Sequence, residues 1–439
     1  MLRDPYAKRM SLASDLKILW RAKGFRRLSY SRLVSQAGDG MFQVGIATAF
    51  FFDPTHATSG TDIAIGFATL LAPFTIVGPF IGPLVDRWQR QRIVLFGNAV
   101  RLVLVSAIVA CVATGAPLWT LYALALLALS VNRFLLAAMT AGLPQVVPAS
   151  ELLAANSVLP TLGTLAAALG GAVGAIASFL SPSSSDSSIA LAALVCAAIA
   201  FGVSAWLATL LSRTSLGPVH PLEQLDFVRQ VRVLVSELIA GVRHLRGRVT
   251  PWHALGVMAA QRLLYGILFV AAILMSRSLF GGSDRGTDAL ANFTIVLGFA
   301  AIGFGAAAVI TPAFGDRVDR HVWIVVCVLV GAVGQTLLAL STATWALLTT
   351  AVIVSFAVQG AKIAIDTIIQ RDTDDEVRGR AFTLYDVLYN VAFMGAAVLA
   401  ALLLPDSGYS QPVMAGLVVA YVVVALIYAR TPRVSPQVT

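Results

Sequence analysis

Four ionisable side chains fall deep inside long apolar stretches of this chain: Asp39, Arg133, Arg262 and Lys362. Asp39, Arg133 and Arg262 lie about 9–10 residues from one end of their stretches and Lys362 about 7, which at about 1.5 Å per residue is roughly 10–15 Å, towards the middle of a bilayer. Charges at that depth are costly and by default mark a working site. Polar neighbours accompany them. Arg32, Ser35 and Gln43 share a helical face with Asp39; Asn132 precedes Arg133, and Gln261 precedes Arg262. Ser355, Gln359, Lys362, Asp366 and Gln370 recur in steps of three and four, so one polar stripe runs down a single helix.

These residue types suit coupled transport. A carboxylate favours its neutral form when dehydrated and its ionised form beside a cation. Asp39 can therefore alternate between pairing with Arg133 or Arg262 and holding a proton; a static ion pair that locks the structure is the competing reading. Lys362 and Asp366 are one turn apart and can neutralise each other. Gln43, Asn132, Gln359, Lys362, Asp366, Tyr385 and Tyr389 are the candidate substrate contacts. Three cations against two acids suit an anionic or zwitterionic substrate better than a lipophilic cation. Arg101 reads as snorkelling or locally paired, and Asp386 with Asn390 as capping or packing near a helix start.

The elements that must hold these groups are membrane spans. The chain has 439 residues, 58% hydrophobic and only 12% charged, with a mean hydropathy of +0.83. A soluble domain carries about twice that charge. Stretches of about 20 apolar residues recur near 29–52, 63–85, 93–114, 117–142, 153–180, 189–212, 253–279, 290–314, 321–342, 344–369, 380–404 and 411–430. The expected fold class is an all-α membrane protein of twelve transmembrane helices in two pseudo-symmetric six-helix bundles. The organisation reads as a basic amphipathic arm (1–28), a first bundle (29–212), an amphipathic linker (213–252), a second bundle (253–430) and a tail (431–439). In the linker Leu222, Leu225, Val228, Val231, Leu234, Leu238 and Val242 recur at helical spacing, as on a membrane-surface helix. Lys and Arg concentrate in alternate loops, which places both termini in the cytoplasm. The net charge of +9 is thus a matter of loops rather than of nucleic acid. Gly163, Ala167, Gly170, Gly171 and Gly174, like Gly78 and Gly82, form small-residue seams; they read as tight packing, or as surfaces that let the halves rock.

A charged loop appears twice at matching places. Gly82-Pro-Leu-Val-Asp86-Arg87-Trp-Gln-Arg90-Gln-Arg92 returns about 230 positions later as Pro312-Ala-Phe-Gly-Asp316-Arg317-Val-Asp-Arg320, each copy between apolar runs. Internal repeats of this kind are common in membrane transporters. Here the chain resembles the major facilitator superfamily, whose loop signature is matched by Gly82, Asp86, Arg87, Arg90 and Arg92; the second copy keeps Asp316, Arg317 and Arg320. The resemblance covers nearly the whole chain. It implies that spans one, four, seven and ten line a shared central cavity, that Arg133 stands where many proton-coupled exporters carry a coupling arginine, and that Asp86 of the loop motif holds the cytoplasmic side shut; Arg87, Arg90 and Arg92 then anchor that gate, or meet anionic lipid headgroups instead. Phe134-Leu-Leu-Ala-Ala departs from the usual pattern after that arginine, and Gln89 replaces a glycine of the loop signature. Gly38-Asp39-Gly40, Arg378-Gly379-Arg380 and Ala155-Asn156 are similar to a bacterial branch that includes siderophore and multidrug exporters and lysophospholipid carriers. Its members are secondary carriers in the cytoplasmic (inner) membrane.

The expected partners are a small-molecule substrate, protons and membrane lipids; the expected state is a monomer. No cofactor or metal is expected: Cys111, Cys196 and Cys327 sit in apolar runs without ligand spacing, and the five histidines are scattered. No Gly-x4-Gly-Lys-Ser/Thr loop points to ATP, and no nucleophile elbow or His-Glu-x-x-His helix points to hydrolysis. The reading is a proton-coupled exporter of a small amphipathic or anionic compound, with a lipid carrier or a non-transporting membrane sensor as the alternatives.

Overall fold

The computed structural model describes residues 19–52, 65–66, 69–70, 85, 88–148, 151–179, 186–217, 227–278, 286–315, 318–373 and 375–432. The expectations for Gly82, Asp86, Arg87, Asp316 and Arg317, for nearly all of the span at 63–85, and for Leu222 and Leu225 lie outside the described residues.

The described chain forms α1 (Lys23–Ala47), a short π-turn (Thr48–Phe52), α2 (Arg90–Thr114), α3 (Leu118–Gly142), α4 (Leu152–Phe179), α5 (Asp186–Thr209) and α6 (Phe227–Arg246). It continues with α7 (Val249–Ser278), α8 (Gly286–Gly315), α9 (Arg320–Leu340), α10 (Thr344–Asp372), α11 (Asp375–Leu403) and α12 (Gln411–Ala429). α6 falls on the expected linker helix, and the other eleven helices fall on eleven of the twelve expected spans. In lipid the backbone has no partner but itself, so long apolar runs become helices. Among the described residues ten helices are long and apolar enough to cross a membrane. Ile295, Ile302 and Val309 on α8 and Val419, Val423 and Leu426 on α12 face outward. Such apolar surface is tolerable only against lipid.

Helix ends follow local chemistry. Gly115, at φ 66, closes α2 in the left-handed conformation that a side chain would strain, and Pro117 opens α3. Asp319 caps α9, its carboxylate accepting from the backbone N–H of His321 at 2.9 Å and of Val322 at 3.4 Å. α2 and α9 start at Arg90 and Arg320, the equivalent arginines of the two charged loops. α11 starts at Asp375, ahead of the expected 380. Asp386 therefore lies three turns into the helix, exposed, with its backbone carbonyl accepting from Asn390 Nδ2 at 2.7 Å. The expectation that it caps a helix start is overturned.

The described helices separate into two compact units, one holding α1 to α5 and the other α7 to α12. In the first, α1 packs on α4, α2 on α5 and α2 on α3; in the second, α7 packs on α11, α9 on α12 and α9 on α10. These pairs correspond under a shift of six spans, as a duplicated unit requires. Lipid is as apolar as leucine, so van der Waals packing rather than the hydrophobic effect holds such helices together. The α1–α4 seam shows it. A methyl group at Gly40 would collide with the Ala167 carbonyl and the Gly171 amide, and one at Gly170 with the backbone of Ala37. Phe25, Leu28, Val94, Leu135, Met139 and Leu159 form one buried apolar cluster within this unit.

Candidate functional site

Each unit encloses a charge cluster. In the first, Asp39 of α1 forms an ion pair with Arg101 of α2. The two side chains are only 9% and 1% exposed. Arg101 also donates to Ser35 Oγ at 3.2 Å, and Ser35 donates to Asn98 Oδ1 at 2.9 Å. The guanidinium lies 3.6 Å from the ring centroid of Phe201 on α5, a cation–π contact strengthened by the loss of water. The Asn132 side chain and the Arg133 charge, both from α3, also act on the Asp39 carboxylate.

The local sequence accounts for this placement. Gly38 leaves room for the Phe201 ring and Gly40 for the α4 backbone. Between them Asp39 is held where α1, α2 and α5 meet. Of the residues expected on this face, Arg32 donates to Gln36 Oε1 at 3.2 Å and to Thr140 Oγ1 at 3.5 Å, while Gln43 is exposed. Arg101, read as snorkelling or locally paired, is the recorded partner of Asp39; Arg133 acts on that carboxylate only from farther off. An apolar run with one central charge facing another such run was the available signal.

In the second unit Arg262 of α7 is boxed by rings. Its guanidinium lies 3.8 Å from the centroid of Phe393, 4.0 Å from Tyr389 and 5.5 Å from Tyr265. Tyr385, Tyr389 and Phe393 follow one another at four-residue steps on α11, with Tyr385 and Tyr389 stacked at 6.0 Å and 13°. On α10, Lys362 Nζ donates to Asp366 Oδ2 at 2.6 Å, so these two neutralise each other. Lys362 also lies 5.5 Å from the Tyr385 ring centroid, and the Tyr385 hydroxyl is buried without a hydrogen-bond partner among the described residues. Gln261 donates to the Ala357 carbonyl at 3.2 Å, tying α7 to α10; Gln359 is half-buried. Lys362, Asp366, Tyr385 and Tyr389 thus come together, joined by Arg262. Tyr265 and Phe393 were not anticipated, although they stand one turn from Arg262 and Tyr389.

Of the loop-motif residues that are described, Arg90 is a clamp. Its Nη1 donates to the carbonyls of Ala141 at 2.9 Å and Leu216 at 3.3 Å, and its backbone N–H to Gly217 at 3.0 Å. It thereby ties the end of α3 and the chain beyond α5 to the start of α2. Arg92 borders a recess with Trp88, Phe96 and Phe134. Arg320 opens α9 close enough to Asp372 to act on its charge. Among the described residues no group of His, Cys, Asp and Glu is arranged to hold a metal.

Long apolar helices that enclose ionised side chains in each of two related units are the architecture of an integral membrane transporter. The Major Facilitator Superfamily profile matches residues 28–395 and again 289–439, and the chain belongs to that family. It is 31% identical over 392 residues to an uncharacterised MFS-type transporter of Mycobacterium tuberculosis, Rv0037c, covering 88% of this chain and 86% of the relative. The corresponding Mycobacterium bovis protein, Mb0038c, matches to the same extent. Among solved structures, the nucleoside transporter NupG superposes with a TM-score of 0.67 at 13% identity, covering 92% of this chain and 98% of that one. The POT family transporter PepTSo gives 0.66 at 10% identity, covering 92% and 97%. At these identities the structures share the fold alone.

Proposed function

We propose that this transporter is a secondary active carrier of the cytoplasmic membrane, with both termini in the cytoplasm. It works by alternating access and exports a small amphipathic or anionic compound against proton entry. The observation that carries this reading is the enclosed Asp39–Arg101 pair. A purely structural contact in lipid needs no charges, and well-packed apolar residues would stabilise it as well or better. An ion pair, by contrast, can be opened by one proton. With Asp39 neutralised, Arg101 keeps the Ser35 hydroxyl and the Phe201 ring face, so its charge is still partly accommodated. Asn132 and Arg133 lie close enough to receive the carboxylate when it ionises again. The charged loops are proposed as the cytoplasmic gate, with Arg90 as its anchor.

The test is flux in sealed proteoliposomes with an imposed pH gradient, using ligands found by thermal-shift screening. The Asp39→Asn/Arg101→Gln variant, which leaves no lone charge, should lose gradient-driven accumulation while retaining substrate exchange at equal pH. Accumulation with normal pH dependence in that variant overturns the coupling role. Binding without any flux would instead mark a sensor, and chemical alteration of the ligand an enzyme.

A further inference from the structure

We infer that Arg262 is an oxyanion-binding residue, built to receive a carboxylate or phosphate carried on an apolar body that rests against the α11 rings. The inference deepens the transporter reading above and rests on it, naming the chemistry by which the cargo is held.

Asp39 is matched by Arg101, and Asp366 by Lys362. Arg262 has no such partner: among the described residues no carboxylate pairs with it, and its Nε is enclosed without a hydrogen-bond acceptor. A guanidinium presents five N–H donors in a planar fork. Among the described residues the faces of Phe393, Tyr389 and Tyr265 meet it. Ring faces attract the cation but accept no strong hydrogen bond, so the enclosed Nε–H is left without an acceptor in the plane of the fork. Leaving donors unmet in a dry site is costly, and a bidentate oxyanion is the ligand that meets them.

The surroundings refine the choice. Asp366 already holds Lys362, so the cluster of Arg262, Lys362 and Asp366 carries one net positive charge and favours a monoanion. Tyr385, Tyr389 and Phe393 form a continuous aromatic strip beside the guanidinium. Such a strip suits an alkyl or aryl body and offers nothing to a densely hydroxylated one. A lipophilic cation would meet like charge, which is why Arg262 excludes that class.

The experiment uses the full-length protein in phosphatidylcholine nanodiscs without a gradient, so that it stands apart from coupling. Binding is measured for hexanoate, hexyl phosphate, lysophosphatidylglycerol, inorganic phosphate, hexanol and hexylammonium. Saturable binding of hexanoate or hexyl phosphate, with hexanol and hexylammonium much weaker, supports the inference and points to a soluble organic anion. Binding confined to lysophosphatidylglycerol supports it too and points to a lipid headgroup. Arg262→Gln should weaken the anion by about tenfold or more, the loss expected for charge-assisted hydrogen bonds. Arg262→Lys should recover only part, because a point charge lacks the fork. Equal binding of hexanoate and hexylammonium overturns the inference, as does unchanged anion affinity in Arg262→Gln. If that variant does not fold, headgroup selectivity of the wild type decides alone. Anion binding without proton-driven flux would leave this inference standing and remove the coupling reading; cation flux without anion binding would do the reverse.

Discussion

The Asp39–Arg101 pair gives a prediction that can be worked through in energy. Asp39→Leu leaves a guanidinium that is 1% exposed with one hydroxyl, Ser35, and one ring face, Phe201, as partners. Removing one member of a buried ion pair costs about 3–5 kcal/mol. The Phe201 ring already contributes in the wild type, so it offsets none of this loss. Asp39→Asn keeps an acceptor for Arg101 and should sit at the low end, about 3 kcal/mol. Arg101→Met strands the carboxylate and should cost a similar amount. The double variant Asp39→Leu/Arg101→Met removes both members of the pair and should lie within about 1 kcal/mol of wild type or above it, since apolar replacement of such pairs is often neutral or stabilising. The assay is equilibrium unfolding of purified protein in mixed micelles, titrated with dodecyl sulfate and followed by tryptophan fluorescence. The reasoning is refuted if the single effects simply add in the double variant, leaving a coupling below about 0.5 kcal/mol, the usual scatter for independent sites.

Other outcomes follow from the packing and the charged loops. Gly170→Ala should destabilise by about 1–3 kcal/mol, the range for overpacking, because the added methyl meets the Ala37 backbone rather than a movable side chain; Gly298→Ala, where nothing lies nearby, is the matched control in the same unfolding titration. Arg90→Ala should cost about 1.5–3 kcal/mol through lost charged hydrogen bonds to Ala141 and Leu216, and Arg90→Lys should recover part of it; equal stability of all three proteins would remove the clamp. Asp86→Asn should slow turnover more than it weakens ligand binding, read by comparing exchange rates with binding isotherms; unchanged turnover would reduce the loop to a lipid anchor.

That Asp39, Arg133, Arg262 and Lys362 lie inside long helices could be read from the sequence, because a charge stands out against an apolar run. The helix count and the repeated loop were legible for the same reason. Pairing was less so. Asp39 meets Arg101 because Gly38 and Gly40 let α5 and α4 approach α1, and such approach is a property of packing that no single run displays. Arg262 likewise showed its charge but not its setting: Tyr265 and Phe393 looked like ordinary apolar wall until α7 and α11 were seen to lie together. Lys362 and Asp366 were legible as a pair since they share one helix at four-residue spacing. The capping half of the Asp386 reading failed because α11 begins at Asp375, and polar residues at a helix start give no hydropathy edge to locate it.

α1 is not among the helices apolar enough to span by themselves. It carries Arg32 and Asp39 into the core, and their partners arrive only with later segments, Arg101 on α2 and Thr140 on α3. Its close-packed neighbours, α4 and α5, are made later still. α1 is therefore a poor candidate for independent partitioning into lipid. During biogenesis it would have to wait beside the translocon or at the bilayer surface until its companions emerge, so that nascent chains halted before Asp186 should leave α1 accessible to aqueous labelling while those extended past Thr209 should protect it.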